Sequence, residues 1–411
     1  MLSLDGSRLC NSRWKELLKR IVSGLILAFL SISTLTAAFN IQLANASGTI
    51  TIKADGTVDP PTAPIERNGD IYVLTSYIYE SIVVERNNTV VDGDGYVVQG
   101  SGSGKAIFLS RTNNVTVKNF EIKTFYWGIY LEHSSNNMIC ENKITNILYD
   151  CIGIDSCSNI TISGNEMAIG SEGIKLSYSS ECNITRNKVV TCKNSGVWVH
   201  HSSGIVSENS IVESSSVYRG GVYVDYSSGT RIYGNSVSKG TYGIRLHYSS
   251  HCEISENNVE LNRYNVRIER SSDNVFFHNS FFEAEYAHVY FSEAGYANLW
   301  DDGYRGNYWS DHNPPDKNCD KIGDINYTLD KYNVDRFPLI YPYEFYEPGY
   351  VRNADVNKDG IVNILDLAQV GKAFGCEPGD SRWDPLVDMD LNKIINILDI
   401  SRIAQDFGKT T

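Results

Sequence analysis

The sequence predicts an all-β chain, a right-handed parallel β-solenoid of about 22 residues per coil, followed by a small all-α calcium-binding module at the C-terminus. Three observations predict it. Asparagines recur at nearly constant spacing through the middle of the chain, a glycine-led strand element runs out of phase with them, and a run of alternating Asp and Asn near the end is duplicated.

The first element is a leader. Arg8, Arg13, Lys15, Lys19 and Arg20 outnumber Asp5 and Glu16, and a largely apolar run extends from Ile21 to Phe39. That order is the order of an export signal, and Ala44-Asn45-Ala46 is a small-residue cleavage site. Residues 1–46 are therefore expected to be a signal peptide, with retention as an uncleaved anchor as the alternative. No later stretch is long and apolar enough to span a bilayer, so the rest is expected to be exported, either secreted or at the cell surface.

Composition narrows the partners. The whole chain carries a net charge of −13, and removal of a leader of net +3 leaves about −16. Nucleic-acid binding depends on Lys and Arg neutralising phosphates, so it is not expected. Divalent cations suit such a surface. The nine cysteines show no zinc-finger spacing and read mostly as small buried apolar residues. N-x-S/T sequons stand at Asn45, Asn87, Asn114, Asn159, Asn183 and Asn326.

The solenoid is expected over residues 47–345. Asn119, Asn142, Asn165, Asn187, Asn209, Asn235, Asn257 and Asn279 recur at intervals of 23, 23, 22, 22, 26, 22 and 22. The out-of-phase element reads GIYL from Gly128, GIDS from Gly153, GIKL from Gly173, GVWV from Gly196, GVYV from Gly221, GIRL from Gly243 and NVRI from Asn265. Short β-branched strands at this period leave no room for a helix, and the handedness of parallel crossovers favours a right-handed coil. Stacked coils lie ~4.8 Å apart, so a turn Asn can bond its equivalents above and below. Residues 48–110 form less regular first turns, with a turn signature in DGDG.

TVVDGDGYVVQG, the recurrent N-x-T-x-x-N coils and the closing NLWDDGYRGNYWSDHNPPDKNCDKIGDINYTLDKYNVDRFPLI resemble right-handed β-helix proteins of the NosD type over residues 48–345. The resemblance implies that fold and either periplasmic copper handling or a surface carbohydrate-active role. Copper requires soft or imidazole ligands to converge, and the chain has four Met and no Met or Cys cluster.

Side chains alternate along a strand, so the third and fifth positions of the glycine-led element should face outward. Coil by coil these are Trp198 with His200, Tyr223 with Asp225, Arg245 with His247, and Arg267 with Glu269. A second column places His133, Tyr178, His201, Tyr226, Tyr248 and Arg270 each before Ser-Ser. Aromatic faces stack on sugars, and Arg and His bind acidic groups, so Trp198, Tyr178, Tyr226, Tyr248 and Arg267 are candidate polysaccharide contacts. His200, Asp225 and His247, flanked by Tyr223 and Arg245, are candidate catalytic residues for proton abstraction beside a carboxylate, as in a lyase or epimerase. A glycoside hydrolase would use Asp225 and Glu269, two coils or ~9.6 Å apart. The competing reading is that these columns stack on themselves in a structural or adhesive protein with no substrate.

A linker over 346–353 leads to the last module, 354–411. A 12-residue calcium loop takes ligands from positions 1, 3, 5, 7, 9 and 12 with Gly at 6. Asp355, Asn357, Asp359, Ile361, Asn363 and Asp366 fill them, with Gly360 sixth, and the helical pattern DLAQVGKAF begins at Asp366. The unit recurs 33 residues later as Asp388, Asp390, Asn392, Ile394, Asn396 and Asp399, and Phe407-Gly408 repeats Phe374-Gly375. These duplications resemble a type I dockerin, which implies two calcium ions and a cohesin-like partner, contacted through Ile364-Leu365 or Ile397-Leu398. Lys393 replaces the sixth-position Gly, so the second site is expected to be weaker. A calcium-stapled cap with no partner is the alternative. The expected whole is an exported β-helix with a carbohydrate-facing surface and a calcium-dependent tether.

Overall fold

The computed structural model describes residues 48–214, 219–293, 296–318, 320–343, 354–357, 359–376 and 394–409, with 380, 382, 384 and 387–389, but not the side chains of Leu398 and Gln405. The expected signal peptide, the linker over 346–353, and Asp390, Asn392 and Lys393 lie outside the described residues.

Inward-facing β-branched residues occupy the same position in each coil, and this builds the solenoid. Ile129, Ile152, Ile174, Val197, Val222, Ile244 and Val266 pair in register on seven successive parallel strands, each side chain fully buried. Like shapes stack without voids, and a coil gains its core only from the coils above and below. Three sheets of 12, 11 and 10 strands result around one continuous core, parallel except for one antiparallel pair at the start of each of the first two. One coil visits all three, as in Ser195–His200, Gly204–Ser207 and Ser210–Val212, before the chain returns to the first sheet at Val222–Asp225.

A buried amide ladder runs beside the core. Asn142, Asn165, Asn187, Asn209, Asn235, Asn257, Asn279 and Asn307 each donate Nδ2–H to the next side chain, the first seven to the next Asn Oδ1 at 2.8–3.0 Å. The expectation for Asn119 was displaced by one residue. Phe120 pairs with Asn142 and donates its backbone N–H to Asn142 Oδ1, whereas Asn119 lies outside the ladder at φ 58° and bonds Asp92. A second ladder links Thr112, Ser134, Cys157, Ser179, Ser202, Ser227, Ser249 and Ser271 through backbone N–H groups and side-chain oxygen or sulfur.

The glycine element also needs one correction. Gly153 pairs with Tyr130 and Lys175, which makes it an outward position, so the coil begins at Asp150 and not at Gly153. The inward glycines are required where the first sheet approaches the third. A Cβ on Gly196 would sit 2.3 Å from Ile211 Cγ2, and one on Gly221 2.3 Å from Val237 Cγ1.

The solenoid closes on a polar lid. Asp335 is fully buried and accepts from Asn307 N–H at 2.7 Å and Trp309 Nε1–H at 2.9 Å, which ends the amide ladder. Beyond it stand two short helices, Ile364–Ala373 and Ile397–Gln405, around a small core that includes Val362, Val370, Val387, Ile395 and Ile403. The first helix starts two residues before Asp366, because Asn363 caps it and Asp366 returns the bond to the Asn363 N–H. Among the described residues no helix is long and apolar enough to cross a membrane.

Candidate functional site

Register alone brings His200, Asp225, His247 and Glu269 side by side on four neighbouring strands of the first sheet. Asp225 sits between the two imidazoles and accepts from both. Its Oδ2 is 2.9 Å from His200 Nδ1 and its Oδ1 is 2.7 Å from His247 Nδ1. Each imidazole thus turns Nδ1 to the carboxylate and leaves Nε2 as its other ring nitrogen. Burial holds the His200 imidazole below its ordinary pKa, although Asp225 pulls the other way.

Tyr223 lies beneath, its hydroxyl 3.3 Å from His247 Nδ1, and burial aided by Asp225 raises it well above a normal phenol. It stays protonated. Arg245 and Arg267 both reach Glu269 Oε2, at 2.7 and 3.1 Å, and Glu269 Oε1 stands 3.8 Å from His247 Nε2. Trp198 is stacked on Tyr223 at 6.1 Å and tilted on His200 at 5.1 Å. The five expected catalytic residues, with Trp198 and Arg267, therefore form one contact network. Asp225, Tyr223 and Arg245 are buried, while the more exposed His200, His247, Arg267 and Glu269 make its outer layer.

The second column behaves as a stack. Tyr178, His201, Tyr226 and Tyr248 overlap at 4.8–5.2 Å with interplanar angles of 6–13°. Their backbones are left-handed, at φ 44–50°, and the N–H of each donates to a carbonyl of the next coil, as His201 does to Asp225 O. Tyr178, His201 and Tyr226 line a shallow groove together with Ser180, Ser203 and Ser228.

Three residues escaped the sequence reading. Asp150 and Glu172 pair in register two and one coils before Ser195–His200, both 2% exposed. Arg219 comes from the coil with the 26-residue asparagine interval, pairs with Glu172 and lies 3.8 Å over the Trp198 ring. Burial pushes the Asp150 carboxyl up to about 7, against the pull of Lys175 and Arg219. The four extra residues in that interval were the available signal.

In the first C-terminal loop, Asp355 accepts from Asp359 N–H and Gly360 N–H, and Asp366 from Asn357 N–H and Asn363 N–H. Gly360 takes φ 90°, the turn such a loop needs. Asp355, Asp366, Asp388 and Asp399 are all buried, and Asp388 accepts from Tyr341 of the solenoid cap at 2.9 Å. The all-oxygen donor set suits a hard cation, although among the described residues no three His, Cys, Asp or Glu side chains already converge on one point. Copper fits less well. The described cysteines are dispersed, six of seven buried, and so offer copper no cluster of soft ligands.

Comparison with known proteins agrees with the architecture. The family model of the periplasmic copper-binding protein (NosD) matches residues 147–314, and that of the right-handed beta helix region matches residues 65–212. No protein of curated function matches the chain. Among solved structures, a mutant of the periplasmic alginate epimerase AlgG aligns with 13% identity and a TM-score of 0.46, over 60% of this chain and 66% of that one. The enzymatically active domain of bacteriophage CBA120 tailspike protein 2 aligns with 14% identity and a TM-score of 0.42, over 56% and 42%. The catalytic domain of a GH87 alpha-1,3-glucanase in complex with nigerose gives 15% and 0.39, over 64% and 63%. The chain thus spans less than two thirds of each of these three chains. Its stacked coils, with the two family matches, make it a right-handed parallel β-helix repeat protein.

Proposed function

We propose that the chain is an exported carbohydrate-active β-helix that binds an anionic polysaccharide along its first sheet and moves a proton at the His200–Asp225–His247 cluster. One observation carries this reading. A single buried carboxylate lies within hydrogen-bond distance of two imidazoles, on a surface that also offers the guanidinium of Arg267.

A uronate residue has a hydrogen on the carbon beside its carboxylate, and removing it builds negative charge on that carboxylate. His200 Nε2, neutral at physiological pH, is placed to accept the proton, and Arg267 with Arg245 behind it to stabilise the charge. Return of a proton to the opposite face is epimerisation. Loss of the glycosidic oxygen from the next ring carbon, its C–O bond breaking as the C=C bond forms and the oxygen taking a proton from solvent, is elimination. Hydrolysis through Asp225 and Glu269 fits less well, because Asp225 is spent on two imidazoles and Glu269 on two guanidiniums.

The stacked column of Tyr178, His201, Tyr226 and Tyr248 supports a second reading, binding without turnover, since rings in such a groove present edges and hydroxyls to a sugar chain.

The C-terminal segment is the tether in this proposal. Calcium would be held by Asp355, Asn357, Asp359, the Ile361 carbonyl, Asn363 and Asp366. The second loop would offer Asp388, Asp390, Asn392, Ile394, Asn396 and Asp399, and the ion would supply the charge that orders the loops. Ile364 at 65%, Leu365 at 56% and Ile397 at 64% exposure are apolar anchors for a cohesin-like partner.

Polyuronates incubated with the purified chain in deuterated water test the activity. Unsaturated chain ends or deuterium at the carbon beside the carboxylate are expected, reduced by about 10²–10⁴ in His200→Ala. Binding with neither product leaves the non-catalytic reading, and absence of both removes the proposal.

A further inference from the structure

Asp150, Glu172 and Ser195 occupy matching positions on three successive strands of the first sheet, and all three are at least 98% buried. The outward column above them runs Tyr130, Gly153, Lys175, Trp198, Tyr223. Gly153 is its gap. A Cβ built there would lie 2.7 Å from the Tyr130 ring, which covers that position, and 3.5 Å from the Asp150 carboxylate.

Among the described residues, four polar atoms here have no hydrogen-bond partner: Asp150 Oδ1, Glu172 Oε2, Ser195 Oγ and Trp198 Nε1. Glu172 Oε1, by contrast, is taken by Arg219 and by Asn194 Nδ2 at 3.2 Å. Buried polar atoms are nearly always paired, and a group of four on neighbouring coils calls for a ligand that pairs them. The set contains acceptors and donors together. An anion would face Glu172, and a cation would face Lys175 and Arg219, so neither charge is matched. A neutral polyhydroxyl compound matches, because each hydroxyl both donates and accepts.

We propose that Asp150, Glu172, Ser195 and Trp198 form a binding subsite for a neutral sugar residue, gated by the side chain of Arg219. Arg219 keeps 27% of its side chain exposed and is held by one carboxylate oxygen and one ring face, contacts it can exchange for a sugar. This inference rests on the polysaccharide reading of the first sheet and deepens it. A chain that places a uronate at His200 would place its neutral unit at Ser195 and the coils before it, which makes the substrate a mixed polymer of neutral and acidic sugars.

The test titrates the full chain with neutral gluco-, galacto- and manno-configured oligosaccharides and, separately, with an oligouronate, following tryptophan emission. A neutral oligosaccharide is expected to shift the emission, the shift to vanish in Trp198→Phe, and affinity to fall about tenfold in Ser195→Ala and in Glu172→Gln, each losing one hydrogen bond. Ser195→Ala removes only an unpartnered hydroxyl, so it keeps the fold, and circular dichroism checks this. The inference is overturned if no neutral oligosaccharide gives a Trp198-dependent shift, if Ser195→Ala and Glu172→Gln weaken the oligouronate as much as the neutral oligosaccharide, or if both variants bind the neutral oligosaccharide as wild type does. The deuterium assay reads the His200 cluster alone, so failure there and failure here are separate results.

Discussion

Replacing Asn209 by Ala cuts the amide ladder in the middle. The Asn209 side chain donates to Ile184 O at 2.9 Å, Ser207 O at 2.9 Å and Asn235 Oδ1 at 3.0 Å, and accepts from Asn187 N–H at 2.9 Å and Asn187 Nδ2–H at 3.0 Å. Truncation removes all five. Asn187 Nδ2 retains Ile162 O and Thr185 O, but the buried Asn187 backbone N–H loses its acceptor. An orphaned buried donor costs about 1–3 kcal/mol and each other lost bond about 0.5–1 kcal/mol, so the expected loss is about 4 kcal/mol. Urea unfolding of the chain measures it. Amide exchange should quicken first in the coils around Asn187 and Asn235, since each coil is supported only by its neighbours. Asn119→Gly is the internal comparison. That residue lies outside the ladder in a left-handed backbone that glycine accepts, so its replacement should cost under ~1 kcal/mol. Equal losses for the two variants, or a loss under ~1 kcal/mol for Asn209→Ala, would refute the claim that the ladder holds the coils together.

Two further outcomes follow from buried carboxylates and from the C-terminal loops. Unfolded Asp150 releases its proton near pH ~4, whereas the folded side chain holds it up to about 7. Between those values the folded state binds more protons, so stability falls as pH rises through the window, by at most about 4 kcal/mol, and buried Asp335 acts in the same direction. Asp150→Asn should therefore lose less stability than wild type between about pH 4 and pH 7, and parallel melting curves for the two across that range would contradict the assignment. Calcium added to the chelator-treated full chain should release binding heat at a tighter and a weaker site and increase helical ellipticity, with the tighter event lost in Asp366→Ala. No heat and no gain of helix would end the tether reading.

Much of the solenoid was readable because its physics is repetitive. A position that must be β-branched in one coil must be so in the next, and Val197, Val222 and Ile244 announce each other across 22–25 residues. The same logic placed His200, Asp225 and His247 together. It failed where one coil departs from the rest. Phe120 holds the place of the first ladder Asn, so the neighbouring Asn119 looked like a member, and Gly153 imitated the inward glycines from an outward position. Asp150 and Glu172 were missed for another reason. Their importance comes from Arg219, which meets Glu172 across 47 residues through a loop of irregular length, and periodicity says nothing about such a contact.

The amide ladder has a direction. Every member passes its Nδ2–H toward the C-terminus, from the Phe120 backbone N–H at one end to the carboxyl group of Asp335 at the other. Its two ends therefore have different chemistry, while all its middle members are interchangeable. A whole extra coil bearing one Asn would leave both ends as they are, whereas a change at Phe120 or Asp335 would leave a terminus mismatched. The length of the ladder is accordingly set in whole-coil steps between two fixed ends, and the surface of the first sheet beside it can be lengthened or shortened without redesigning either one.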